Sequence, residues 1–272
     1  MKLVPILMAL IFSTNILASG APKLDNLSLN DVDSISKEFA TNFTHTILAP
    51  ASSLGKIWGF EFGFMAGTTQ TPEINRISKT ISASSNISMI PTAGFIAGLT
   101  LPLGINAEVN TIPEVNASSL YLKNISYALK WEMTSVMPTA PLNVAIRIHG
   151  NNGELGYTGV INNVSTANQD VNAKTSWQSS SSGYNLEISK KLLFIEPYLG
   201  FGKVSTTTKI GISGTSNISI FTFSSASSHT SKNSGSHLFA GVNFNLFILK
   251  LGAEYSQMMG ISKTAAKVSF YF

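Results

Sequence analysis

Hydrophobic and polar residues alternate with period two along most of this chain, the pattern of strands with one apolar and one polar face. From Trp58 to Ala66 one face carries Trp58, Phe60, Phe62 and Phe64, and the other Gly59, Glu61, Gly63 and Met65. Near residue 124 the apolar set is Ile125, Tyr127, Leu129, Trp131 and Met133, set against Asn124, Ser126, Ala128, Lys130 and Glu132. Similar segments start near 93, 103, 142, 184, 195, 238, 249 and 266, with Phe239 the one apolar residue on the wrong face of its strand. About ten segments result, each near the ~9–11 residues that cross a membrane as a tilted strand.

Strands in lipid must close on themselves, because an unpaired backbone edge has no water to bind. The expected fold is therefore all-β: an antiparallel transmembrane β-barrel of about 10 strands (8–12, even), with a short N-terminal helix. The gaps support this with a long–short rhythm: 69–91, 112–118, 150–170 and 206–234 against 102, 134–141, 190–193 and 247–248, with only the last external gap, 259–262, no longer than its neighbours. The longer gaps are expected to be external loops and the shorter ones periplasmic turns. Residues 205–234, rich in Ser and Thr, read as a surface loop with a hairpin of its own around Ile218 to Phe223. Trp58, Trp131, Phe194, Phe244, Phe270 and Phe272 would then gather at the periplasmic rim as an aromatic girdle.

The start of the chain does not alternate. Met1-Lys2, an apolar run from Leu3 to Phe12 and small residues at 18–21 have the three parts of a secretory signal, so residues 1–20 are expected to be cleaved. Residues 21–55 form a helical N-terminal segment, either periplasmic or a plug, and residues 56–272 form the barrel. Asn30 or Asp31 would cap a helix running to about Leu48, with Val32, Ile35, Phe39, Phe43 and Ile47 on one stripe. Inward glycines, among them Gly63, Gly98, Gly200 and Gly241, leave space for such a plug.

Composition narrows the function classes. Only 12% of residues are charged, against about 25% in ordinary soluble proteins. No run after residue 20 approaches the ~18 apolar residues of a spanning helix. The net charge of +4 and the single basic pair Lys190-Lys191 give no nucleic-acid signal. With no cysteine, disulfides and lipid attachment through a cysteine are excluded. His45, His149, His229 and His237 show no metal-ligand spacing, and no serine stands out as a nucleophile, so neither catalytic residues, metal nor cofactor is expected. The expected lumen-lining set is Glu61, Glu108, Lys130, Glu132, Arg147, His149, Glu187, Glu196, His237, Lys250 and Glu254, with Lys267 on the same face. Mixed charge of this kind either pairs across the lumen to hold the barrel or forms a polar path for solutes.

The ending Val268-Ser269-Phe270-Tyr271-Phe272 resembles the C-terminal signal of bacterial outer-membrane proteins. That resemblance implies the bacterial outer membrane as location, its lipid as surroundings, and the barrel-insertion machinery as a partner through Phe270 and Phe272. Two stretches, Ser189 to Gly202 and Phe239 to Tyr255, resemble an uncharacterised family of exported barrel proteins. A looser likeness, to long-chain fatty-acid transporters, rests on the segment ahead of the first strand. Two functions follow as expectations: a passive channel or transporter for small molecules, or a non-conducting structural or adhesive barrel acting through its external loops.

Overall fold

The computed structural model describes residues 29–55, 58–81, 83–84, 86–117, 120–137, 141–161, 171–218 and 221–272; the expected signal segment, 1–20, lies outside them. Ten antiparallel strands close into one barrel, each paired with its sequence neighbours and the first with the last. They are β1 (Phe60–Gln70), β2 (Met89–Leu101), β3 (Ile105–Ala117), β4 (Leu120–Glu132), β5 (Asn143–Ile161), β6 (Val171–Ser189), β7 (Ile195–Ile218), β8 (Phe221–Leu246), β9 (Leu249–Met258) and β10 (Ile261–Tyr271). Among the described residues two α-helices accompany them, α1 (Leu29–Phe43) ahead of the barrel and α2 (Pro72–Ile81) between β1 and β2.

The alternation read from sequence sets the pleat. In β4, Leu122 to Glu132 alternates buried and exposed without a break. The β1–β10 register, Phe62 opposite Phe270 and Phe64 opposite Val268, puts apolar outward residues side by side. A slip of one residue would turn every charged inward side chain into the apolar face, so this register is strongly specified. The molecule therefore inverts the usual arrangement: large apolar residues such as Ile148, Tyr184, Leu199 and Phe201 are exposed, while charged residues such as Arg147 and Glu187 are fully buried.

We call the end that holds Phe272 and the short turns the base, and the opposite end the rim. Three of the gaps expected to be loops, 112–118, 150–170 and 206–234, are mostly strand. β5 pairs with β6 out to Ile161 and Val171, and β7 with β8 out to Ile218 and Phe221. The cause lies in composition: Ser and Thr supply no apolar face, yet their backbones complete a ladder in water as readily as in lipid. β7 has 24 residues and β8 has 26, against 10 in β9. One side of the barrel thus projects as a wall above the rim, by on the order of 30 Å at ~3.3 Å per tilted residue. The gap 69–91 instead contains α2, with Pro72 at its start, Glu73 in its first turn and Lys79 in its last.

Candidate functional site in the barrel lumen

Helix α1 enters at the rim, and the chain then runs down the lumen to the base. At the rim Asp31 pairs with Arg76 of α2 (2.5 Å). The Glu38 carboxylate accepts hydrogen bonds from the Glu73 and Ile74 N–H groups (2.7 and 3.0 Å), so it caps the N-terminus of α2 from another helix. Burial pushes this carboxyl above its ordinary range, and the two backbone N–H groups act in the other direction. Asp33 accepts from Ser231 and His229 of the wall, and these bonds hold it below the usual carboxylate range.

The helix ends at Phe43 rather than near Leu48, because the barrel wall supplies the partners for its last carbonyls. The Lys263 ammonium donates to the carbonyls of Thr41, Asn42 and Thr44 at 3.0–3.5 Å. A cation there also complements the negative end of the helix dipole. Asn124 Nδ2 donates to the Phe43 carbonyl (2.8 Å) and Asn110 Nδ2 to that of Thr46 (2.7 Å). From Thr44 onward the chain has no regular secondary structure, and every residue from Ala40 to Ala51 is buried. Below, Leu48 N–H donates to Glu254 (3.1 Å), Lys130 donates to the Pro50 and Ser52 carbonyls (2.6 and 2.8 Å), and Glu132 accepts from Ser53 N–H (2.8 Å). The contacts are built from wall side chains reaching plug backbone, so the polar lumen satisfies an extended segment that no sheet pairs.

All eleven expected lumen residues face inward; ten are buried, and Glu108 is half-buried. Arg147 is the hub. Its Nε and Nη2 donate to both Glu187 oxygens (2.6 and 3.0 Å), its Nη1 to Glu108, and its Nη2 also to the Ala49 carbonyl of the plug (3.4 Å). A second cluster joins Lys267 to Glu61 (2.5 Å), with Lys250 at 4.0 Å. Glu254 also accepts from Tyr198 (3.0 Å), and Glu196 from Ser189 (2.8 Å). His149 and His237 meet a third imidazole, His45 of the plug, in a chain with ring centres 6.0 and 6.1 Å apart. His45 bonds Ser126 through Nδ1 (3.0 Å), and His237 bonds Asn185 (3.1 Å). Neither nitrogen of His149 has a partner among the described residues. No group of three or more His, Cys, Asp or Glu among them is arranged to hold a metal ion.

The inward glycines do not leave an open lumen. The place a Cβ would take at Gly200 is occupied by the Phe239 ring, and at Gly241 by Tyr198. At Gly153 it lies 2.9 Å from the Phe43 ring and at Gly98 3.2 Å from Leu54, both of the plug. Phe239, the exception to its strand's alternation, packs with Tyr198 and Ile47, so it is a plug contact. Leu48 packs likewise on Met65 and Ile96, and Phe43 on Ile112 and Leu122. In the lower lumen a cavity of about 30 Å³ remains, lined in part by Pro50, Glu61, Lys130 and Lys250. That volume holds about one water molecule. Alternation carried back to Ile261 would have found Lys263, which lies one helical-looking step of four residues, hence the same strand face, before Lys267.

A family model described as a family of unknown function (DUF6588) matches residues 29–271. No protein of curated function matches the chain. Among solved structures, the attachment invasion locus protein Ail of Yersinia pestis, in complex with the heparin analogue sucrose octasulfate, is 10% identical over 79% of this chain and 99% of its own, with a TM-score of 0.33. Outer-membrane expressed OmpT of Vibrio cholerae is 9% identical over 79% and 97%, at 0.19, and a Rhodopseudomonas blastica porin triple mutant 6% identical over 79% and 99%, at 0.22. At such scores none of their ligands or activities extends to this chain.

Proposed function

We propose that this chain, which belongs to the family of unknown function (DUF6588), is an outer-membrane barrel that does not conduct when its lumen is filled as described, and that it acts through the wall projecting above its rim. The observation that carries this reading is the threaded segment from Ala40 to Ala51, buried along its whole length. The membrane part rests on the exposed apolar belt, whose residues would be unsuited to water. With the wall outward, the base faces the periplasm. The wall offers a paired, Ser- and Thr-rich surface and, at its step down to β4, a recess of about 540 Å³ lined in part by Tyr121, Leu155 and Trp177.

Passage of small molecules is the second reading, and it requires the segment to withdraw. One feature favours it: the segment is held mainly by polar bonds and three small apolar clusters, which water could replace. The refolded chain in a planar bilayer decides between them. Silence over long recordings, broken by no resolved steps, is the expected result; regular steps at low voltage would reject the closed barrel.

A further inference from the structure

We propose that the base turns of this barrel are seated in the periplasmic leaflet of the membrane, where their apolar tips complete a belt that the strands alone leave too short. The inference rests on the outer-membrane reading above.

The belt can be measured on the strands. Outward apolar positions run from Ile125 to Trp131 on β4, Ile195 to Phe201 on β7, Leu249 to Tyr255 on β9 and, two residues further, Leu238 to Leu246 on β8. Toward the rim the next outward positions are Lys123, Lys203, Ser236 and Gln257, all exposed. On β4, β7 and β9 seven residues at ~3.3 Å, tilted by ~40°, give a belt about 18 Å tall, against the ~25 Å expected of such barrels. The rim side is closed by these polar positions, so the missing height lies at the base.

The base turns have the chemistry to supply it. Leu103, Leu193 and Phe247 stand in the β2–β3, β6–β7 and β8–β9 turns, and Trp58 leads into β1 at the same end; Phe247 is 97% exposed and Leu193 90%. All four have left-handed backbone, with φ of 65°, 52°, 53° and 59° for Leu103, Leu193, Phe247 and Trp58. Turns of this geometry ordinarily use Gly, Asn or Asp, since a bulky side chain is strained there. At the rim, by contrast, the β9–β10 turn places Gly260 at φ 84° and keeps its other left-handed residue, Met259, buried. Apolar side chains strained at the base and fully offered outward fit a hydrocarbon boundary, and they continue the belt without a gap through Phe194, Leu246 and Phe272.

The test uses single-tryptophan chains. Trp58, Trp131 and Trp177 are replaced by Phe, and Trp is placed by Phe247→Trp, by Leu193→Trp or, as a mid-belt control, by Leu199→Trp. Each chain is refolded into phosphatidylcholine vesicles with brominated acyl chains, and folding is checked by heat-modifiable gel mobility. Bromolipid quenching at 247 and 193 within a factor of two of that at 199, with protection from acrylamide, is expected. Strong acrylamide quenching at 247 and 193 with none from bromolipid would overturn the proposal. Protection from both quenchers would also overturn it, in favour of a protein cover. A control at 199 that bromolipid does not quench would reject the membrane reading itself.

Discussion

Excising residues 29–54 is expected to turn a silent barrel into one that passes ions in resolved steps. The segment occupies the lumen from rim to base, and what remains beside it in the lower half is a cavity of about 30 Å³. None of the ten strands depends on it for a ladder, since each pairs with two neighbours. What the excision exposes is mostly hydratable: Lys263, Asn124, Asn110 and Lys130 exchange plug carbonyls for water. The apolar losses fall on Ile112, Leu122, Met65, Ile96, Tyr198 and Phe239 in the lumen, and on Trp177, which packs on Phe39 nearer the rim. A barrel that still shows heat-modifiable mobility but stays silent would show that the wall closes on itself. Lys263→Met gives a milder form of the same test, because it removes the three bonds at the end of α1 without touching a strand ladder.

The second large effect is on stability. Arg147→Met leaves Glu187 and Glu108 facing each other without their shared cation, in a place where Arg147 and Glu187 are wholly buried. Breaking a buried pair by removing one partner costs about 3–5 kcal/mol. We expect a loss of that size in urea unfolding of the detergent-folded barrel. Removing all three charges together, in Arg147→Met with Glu108→Gln and Glu187→Gln, should recover part of it, because no carboxylate is left without its cation, while the buried Lys130 loses Glu108 at 3.9 Å but keeps its two carbonyls. A single variant as stable as the parent would mean that water reaches the cluster.

The inner and outer faces were legible in the sequence because an apolar outer surface and a polar, filled lumen place opposite residues at adjacent positions. All of Glu61 to Glu254 in the expected lumen set face inward for that reason. The length of β5 to β8 was not legible: above the apolar belt the outward face is polar like the inner one, so Ser179 to Ser182 or Thr206 to Thr208 carry no period to read. The end of α1 was misplaced for a different reason. Its apolar spacing continues to Ile47, but the carbonyls beyond Phe43 are taken by Lys263, Asn124 and Asn110, which are distant in sequence. Phe239 shows how such a contact could be seen: a large apolar residue on a polar face, beside Gly200 on the paired strand, marks a place that another side chain fills.

The position of the threaded segment is the claim on which the rest stands, and the absence of cysteine from the chain allows a direct test. His45 of the segment bonds Ser126 of β4 at 3.0 Å, deep in the lumen. In the double variant His45→Cys, Ser126→Cys, folded in outer membranes and treated with iodine or dibromobimane, the two positions should join. The product should run at altered mobility after heat denaturation and leave no thiol for a membrane-impermeant maleimide. Two thiols that stay separate and react freely with that maleimide in the folded barrel would contradict the account.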